Sequence, residues 1–250
     1  MNDLHGRVAL VTGGAGGLGE AICHALADAG CAVAVGYNSS EQPAQALAQT
    51  LKPVSTPHAA VKALVTDSAA LARMSEEVRE RWGRCDILVN CAGTTRFVPH
   101  ADLDALDDAL IDQILATNVR GPIAVTRALL PLLKASGQGL VVNISSIAAV
   151  TAMGSNIAYC ASKAALDNLT KSLARALAPA VRVISVSPGL ADTEFVKAMD
   201  RSWRDEQASR TPLKRLALPE EVAAAVLAAA TQLTFTTGAV IPVDGGRQLA

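Results

Sequence analysis

The chain is predicted to be an α/β protein: one doubly wound domain whose seven-stranded parallel sheet carries helices on both faces. Three observations lead there. Short β-rich apolar runs alternate with longer segments of helical periodicity along all 250 residues. The runs are almost continuously apolar, as strands covered on both faces must be, instead of alternating in polarity. A glycine-rich turn also joins the first run directly to the first helical segment.

In chain order, strands are expected at Val8 to Thr12, Ala32 to Gly36, Val61 to Val65, Ile87 to Asn90, Leu140 to Ile144, Val181 to Ser187 and Ala239 to Val243. Helices are expected at Gly17 to Ala29, Glu41 to Leu51, Ser68 to Trp82, Asp104 to Leu133, Ser155 to Ala178 and Pro219 to Ala230, each with an apolar stripe. The Asp104 to Leu133 stretch is long for one helix, and Gly121 followed by Pro122 is expected to bend or interrupt it. The segment 190–218 is charged, is broken by Pro212 and follows the sixth strand, where a substrate lid belongs; it reads equally well as a surface excursion. No repeat or low-complexity linker divides the chain, so residues 1–250 read as one domain.

Composition narrows the function classes. Half of the residues are hydrophobic, 18% are charged and the net charge is -1, so there is material for one large core but no basic footprint for nucleic acid. The polar start, Met1 to Gly6, lacks the charged leader and long apolar stretch of a signal peptide, which points to the cytoplasm. The longest strongly apolar run, Val222 to Ala230, falls short of the ~20 residues that span a bilayer, so no membrane segment is expected. Cys23, Cys31, Cys85, Cys91 and Cys160 form an odd set without a CxxC pair and read as small buried thiols. His5, His24, His58 and His100 show no ligand spacing, and no metal site is expected.

Thr12, Gly13, Gly14, Ala15, Gly16, Gly17, Leu18 and Gly19 follow the first strand and open a helix. Such a turn needs residues without Cβ to bend tightly, to approach a pyrophosphate and to pack helix on strand. The helix then presents free N–H groups and its positive end to phosphate. This is the setting of a Rossmann-type dinucleotide site. The glycines fit both a TGxxxGxG register and a GxGxxG register starting at Gly14. The second strand runs into Tyr37, Asn38, Ser39 and Ser40, with no acid before Glu41 to grip the adenosine ribose. Asn38 and the serines could instead donate to a 2′-phosphate, which favours NADP(H) while leaving NAD(H) possible. The competing reading is a turn that caps the next helix.

The chemical end is marked by Tyr159 and Lys163, four residues apart on one helix face. A cation ~4 Å from a phenol stabilises its phenolate by about 4 kcal/mol at an effective dielectric of ~20. Lys163 therefore suffices, in principle, to make Tyr159 a general acid or base near neutrality, although a lone YxxxK also arises on the solvated face of any helix. Ser146, thirteen residues before Tyr159, could bond a substrate oxygen and stabilise developing alkoxide; that spacing selects it over Ser145.

Taken together, TGGAGGLG from Thr12 to Gly19, Asn90-Cys91-Ala92-Gly93 after the fourth strand, Ser146, Tyr159 with Lys163, and Ser187-Pro188-Gly189 after the sixth resemble the short-chain dehydrogenase/reductase superfamily over essentially the whole chain. The resemblance fixes the TGxxxGxG register. It implies a carbonyl reductase or alcohol dehydrogenase similar to 3-oxoacyl-carrier-protein reductases or sugar and polyol dehydrogenases. It also implies a small carbonyl or alcohol as substrate and no nucleic-acid or membrane partner. Asn118 matches the asparagine that completes a tetrad with Ser146, Tyr159 and Lys163. The implied cofactor contacts are Gly13, Gly17, Leu18, Gly19, Asn38, Ser39, Asp67, Asn90, Ala92, Gly93, Tyr159, Lys163, Pro188, Gly189 and Thr193. The Thr211 to Arg215 and Val243 to Gly246 segments resemble the family's C-terminal third, where many members pair into homotetramers.

Two departures bear on the cofactor. Cys91 stands where the family more often has a second asparagine, and Gly16 stands where NADP-preferring members often carry Arg or Lys. Phe97, Val98, Leu190 and Phe195 are expected to wall the substrate pocket from their places after strand ends. Asp167 and Lys171 read as an exposed helix ion pair, and Trp82 and Trp203 as packing or surface aromatics. The alternative from another class is a dinucleotide-sensing protein without turnover, for which loss of Tyr159 or Lys163 is the expected signature.

Overall fold

A computed structural model describes residues 3–249, apart from the side chain of Phe195. Seven strands form one parallel sheet: β1 Val8–Thr12, β2 Ala32–Tyr37, β3 Ala59–Lys62, β4 Ile87–Asn90, β5 Gly139–Ile144, β6 Val181–Pro188 and β7 Val240–Val243. Their order is β3-β2-β1-β4-β5-β6-β7, so the direction of winding reverses between β1 and β4. In such sheets ligands bind at the carboxyl ends of the strands beside that switch point.

The helices are α1 Gly17–Asp28, α2 Glu41–Thr50, α3 Ser68–Trp82, α4 Asp108–Leu115, α5 Gly121–Ala135, α6 Ala148–Thr151, α7 Ile157–Leu177, α8 Glu194–Lys197, α9 Arg201–Arg210 and α10 Pro219–Thr231. The strands alternate which face each residue serves, but both faces are buried. Ala9, Val11, Val33 and Val35 pack with Ile22 and Leu26 of α1, Leu47 of α2 and Val222 and Val226 of α10. Leu10, Ala34, Leu88 and Val141 pack on the other face with Leu71 and Met74 of α3 and Val125 and Leu129 of α5. Continuous apolar runs are the consequence of this double burial.

Most element ends fall within a residue or two of expectation, and two readings need correction, those of β3 and Asp167. β3 is Ala59–Lys62, not Val61 to Val65, because its pairing with β2 runs from Ala34 opposite Ala59 to Tyr37 opposite Lys62. Ala63 and Val65 are buried as packing residues beyond the strand. The Asp104 to Leu133 segment is interrupted beside Gly121-Pro122 as expected, with no gap in the helical path from α4 to α5, but it starts later: α4 follows the Asp107 cap, whose carboxylate accepts from Leu110 N at 2.8 Å. A five-residue π-helical turn, Ala116–Arg120, then precedes α5. Asp167 is not half of an exposed pair with Lys171 but is buried on α7, accepting a 2.8 Å hydrogen bond from Ser185 Oγ of β6.

Candidate active site

The glycine loop leaves β1 at Thr12 and is shaped by contacts that leave no room for side chains. Gly13 has a φ of +64°, and a Cβ there would lie 3.0 Å from Ala92 Cα. A Cβ on Gly19 would lie 2.2 Å from the Gly13 carbonyl oxygen, so only glycine lets α1 start this close to the turn. Thr12 Oγ1 accepts from both Cys91 N and Ala92 N at 3.1 Å, stitching the β1 end to the β4 end. Gly16, at the N-cap of α1, leaves the helix without a side-chain cap. The first N–H groups of α1 therefore face outward without a side-chain acceptor, as a dinucleotide pyrophosphate requires. Thr193 closes the far side: its Cβ and Cγ2 lie 3.0 Å from where a Gly17 Cβ would be.

After β2, Asn38, Ser39 and Ser40 are exposed, and Ser40 occupies the α2 N-cap position without a side-chain hydrogen bond. Capping therefore does not account for these side chains. Asp67 caps α3, accepting from Ala69 N at 2.8 Å and Ala70 N at 3.0 Å; these backbone donors hold its carboxyl below the usual range.

Beyond β5, α7 brings Tyr159 and Lys163 together. Lys163 Nζ lies 5.6 Å from the centre of the Tyr159 ring and donates to the Ile144 carbonyl at 2.8 Å. Lys163 is buried, and Tyr159 is half-buried. Among the described residues none hydrogen-bonds the Tyr159 hydroxyl. Ser146 sits just past β5, where its Oγ accepts from Ala148 N at 3.2 Å and keeps its own proton uncommitted. Its neighbour Ser145 is buried and donates to the Lys163 carbonyl, which locks the β5 end to α7.

Asn118 lies in the π-helical turn, fully enclosed. Its Oδ1 accepts from Thr94 N at 2.8 Å, and its Nδ2 donates to the Thr94 carbonyl at 3.0 Å and to Ser162 Oγ at 3.1 Å. A Cβ on the exposed Gly93 would lie 3.5 Å from Asn118 Oδ1 and 3.8 Å from Lys163 Nζ, so these two groups converge beside Gly93. The Asn90 side chain takes another course: it donates to Asn143 Oδ1, and Asn143 Nδ2 in turn donates to Thr170 Oγ1, a buried chain beneath the site. Gly189 meets β7, since its N–H bonds the Val243 carbonyl at 3.0 Å behind the buried Pro188. Desolvation pushes the neighbouring Cys91 thiol up to about 11, with the Lys163 charge pulling the other way.

The short chain dehydrogenase family matches residues 7–204 of this sequence. The chain belongs to that family. This short-chain dehydrogenase is 40% identical over 245 residues to a Streptomyces violaceoruber protein named for ketoacyl reduction in granaticin polyketide synthesis, covering 97% of this chain and 96% of that one. It is 36% identical over 242 residues to the cis-4-hydroxycyclohexanecarboxylate dehydrogenase of Sinomonas cyclohexanicum, covering 96% of each chain. Among solved structures, a gluconate 5-dehydrogenase from Burkholderia cenocepacia in complex with NADP and tartrate superposes with a TM-score of 0.91 at 30% identity, over 100% of this chain and 98% of that one. The protein is an NAD(P)-dependent oxidoreductase that moves a hydride between a nicotinamide and a carbonyl or secondary alcohol.

Of the expected pocket walls, Val98 is buried, Phe97 is 73% exposed, Leu190 is half-buried, and the Phe195 side chain lies outside the described residues. Sequence reasoning missed Thr12 as the loop's anchor, Ser162 as the partner of Asn118, and Asn156 at the head of α7. Asn156 carries a readable signal, a capping residue type just before a helical apolar stripe. Ser162 and Thr12 carry none, because their partners lie 44 and 79 or more residues away in sequence.

Proposed function

We propose that Asn118, Ser146, Tyr159 and Lys163 act as one catalytic unit in the reversible reduction of a small carbonyl. In this reading the Ser146 hydroxyl donates to the substrate oxygen, and Tyr159 gives that oxygen its proton in reduction and takes it back in oxidation. Lys163 favours the charged form of Tyr159 and, with Gly93 beside it, holds the nicotinamide ribose. Asn118 fixes the Gly93–Thr94 backbone against α7. The bound nicotinamide supplies or accepts the hydride. The single observation that carries the assignment is the 5.6 Å approach of Lys163 Nζ to the Tyr159 ring at the carboxyl end of the sheet.

The cofactor is proposed to lie along Gly13, Gly17, Leu18 and Gly19, past Asp67, Asn90, Ala92 and Gly93, to Pro188, Gly189 and Thr193. NADP(H) is favoured over NAD(H), supported by the exposed and uncommitted side chains of Asn38 and Ser39. Residues 1–250 form one catalytic domain in which 190–218 is the substrate lid. The lid's two ends meet where Ala191 pairs with Ala217 and Asp192 N bonds the Ala217 carbonyl at 2.8 Å, the arrangement of a flap hinged at its base. A cytoplasmic homotetramer fits an edge strand, β7, that is only partly covered, and the exposed Phe235 and Leu249 nearby in sequence. The dinucleotide sensor without turnover gains no support, since Tyr159 and Lys163 are both present and face each other.

The test is a panel assay with NADPH and NADH, using acetoacetyl-CoA, 4-oxocyclohexanecarboxylate and 5-ketogluconate, carbonyl counterparts suggested by the relatives' names. Carbonyl-dependent loss of nicotinamide absorbance with at least one of them is expected. Tight cofactor binding without turnover on any would favour the sensor.

A further inference from the structure

Tyr159 stands in the first turn of α7, and its position depends on what holds that turn. On the C-terminal side the helix is pinned three times: Lys163 Nζ to the Ile144 carbonyl, Ser145 Oγ to the Lys163 carbonyl, and Asn118 Nδ2 to Ser162 Oγ. On the N-terminal side the tie is Asn156. This residue has no solvent exposure, and all its polar side-chain atoms are in use. Its Oδ1 accepts from Tyr159 N at 2.7 Å, while the two protons of Nδ2 go to Thr95 Oγ1 at 3.2 Å and to the Arg96 carbonyl at 2.7 Å. A helix cap alone needs only the first of these bonds, and serine or aspartate would supply it from an exposed position.

The loop at the other end of this tie belongs to the site. Thr95 directly follows Gly93 and Thr94, the backbone that Asn118 clamps and that lies beside Lys163 Nζ. The same loop is zipped further to the residues before α7, through Thr95 Oγ1 and Ser155 Oγ at 2.5 Å and Val98 N to the Ser155 carbonyl at 2.8 Å.

We infer that Asn156 is a positioning residue for catalysis: its buried amide joins the backbone N–H of Tyr159 to the Thr95–Arg96 loop and so fixes the phenol relative to the Gly93–Thr94 platform. This rests on the proposed role of Tyr159. Misplacing a reacting group by about 1 Å can cost about a hundredfold in rate, so a tie of this kind acts on turnover more than on affinity.

The experiment compares the full-length unaltered enzyme with Asn156→Ser and Thr95→Val. Serine keeps an oxygen for Tyr159 N but is too short to bridge to the loop; Thr95 is exposed, so its substitution leaves both the fold and the cap in place. Each protein is assayed for kcat and KM on the best carbonyl of the panel above, for NADPH affinity by nicotinamide fluorescence, and for Tm. For Asn156→Ser we expect kcat to fall about tenfold while KM and NADPH affinity stay within about twofold and Tm within about 3 °C. For Thr95→Val we expect about a threefold fall in kcat alone. A kcat for both variants within about twofold of the unaltered enzyme overturns the inference, as does a fall in kcat only in step with Tm and NADPH affinity, the mark of a role in folding. Absence of turnover by the unaltered enzyme across the panel removes the reading of Tyr159, and the inference with it.

Discussion

Thr193 rests directly on Gly17: its Cβ and Cγ2 both lie 3.0 Å from the position a Gly17 Cβ would take. The glycine loop after β1 and the start of the 190–218 segment are thus in contact, and the smallness of Gly17 is what allows it. Gly17→Ala pushes the Thr193 segment off the loop and is expected to lower NADPH affinity about tenfold, a cost of about 1.4 kcal/mol. Gly16→Ala is the control, because a Cβ there meets only the Gly13 carbonyl oxygen at 3.4 Å, and it should bind normally. Fluorescence titration of both variants checks the difference; equal affinities would separate the 190–218 segment from cofactor binding.

The proposed preference for NADP(H) turns on the end of β2. An acid at Tyr37 would repel a 2′-phosphate, so Tyr37→Asp should weaken NADPH at least about tenfold relative to NADH. Gly16 is exposed and its surroundings are open, so Gly16→Arg should shift preference toward NADPH by a similar factor of about ten. Parallel titrations with both nucleotides read the ratio. An unchanged ratio in both variants would place the adenosine elsewhere.

The return of the 190–218 segment into α10 depends on Glu221. Its carboxylate takes two bonds from Arg215, at 2.7 and 2.6 Å, and one from Leu218 N at 2.8 Å. The Arg215 hydrogen bonds, then the Leu218 N–H, pull its pKa down to about 2. A carboxyl depressed in the fold stabilises at any pH above its unfolded value of about 4.3, and that contribution fades as pH falls toward 2. The pair is substantially exposed, so solvent screens it and its contribution is small. Glu221→Gln should therefore lower Tm by no more than about 2 °C at pH 7, with the gap closing between about pH 4 and pH 2. Thermal melts of both proteins across that range test this; a gap independent of pH would point to packing instead of charge.

Much of the fold and site is legible in the sequence because local pattern and fold agree. The apolar run from Val8, the glycine turn and the stripe of α1 each imply the next, and Tyr159 with Lys163 share a face by helical spacing alone. What is not legible depends on contacts between distant segments. Asp167 reads as solvated because Lys171 stands four residues on, yet Ser185 of β6 draws it inward. Gly121 and Pro122 suggest the break before α5, whereas the irregular turn lies just ahead of them and holds Asn118 against Thr94 and Ser162. The Asn90 side chain serves Asn143, a partner visible only once β4 and β5 are paired.

The most direct measurement is turnover and cofactor binding of Tyr159→Phe beside the unaltered enzyme. Removing one hydroxyl takes away the proposed proton donor while leaving the ring beside Lys163, the cap from Asn156 and the glycine loop in place. We expect kcat to fall about a thousandfold while NADPH affinity stays within about twofold. Retained turnover at unchanged affinity would contradict this and assign the proton to another group.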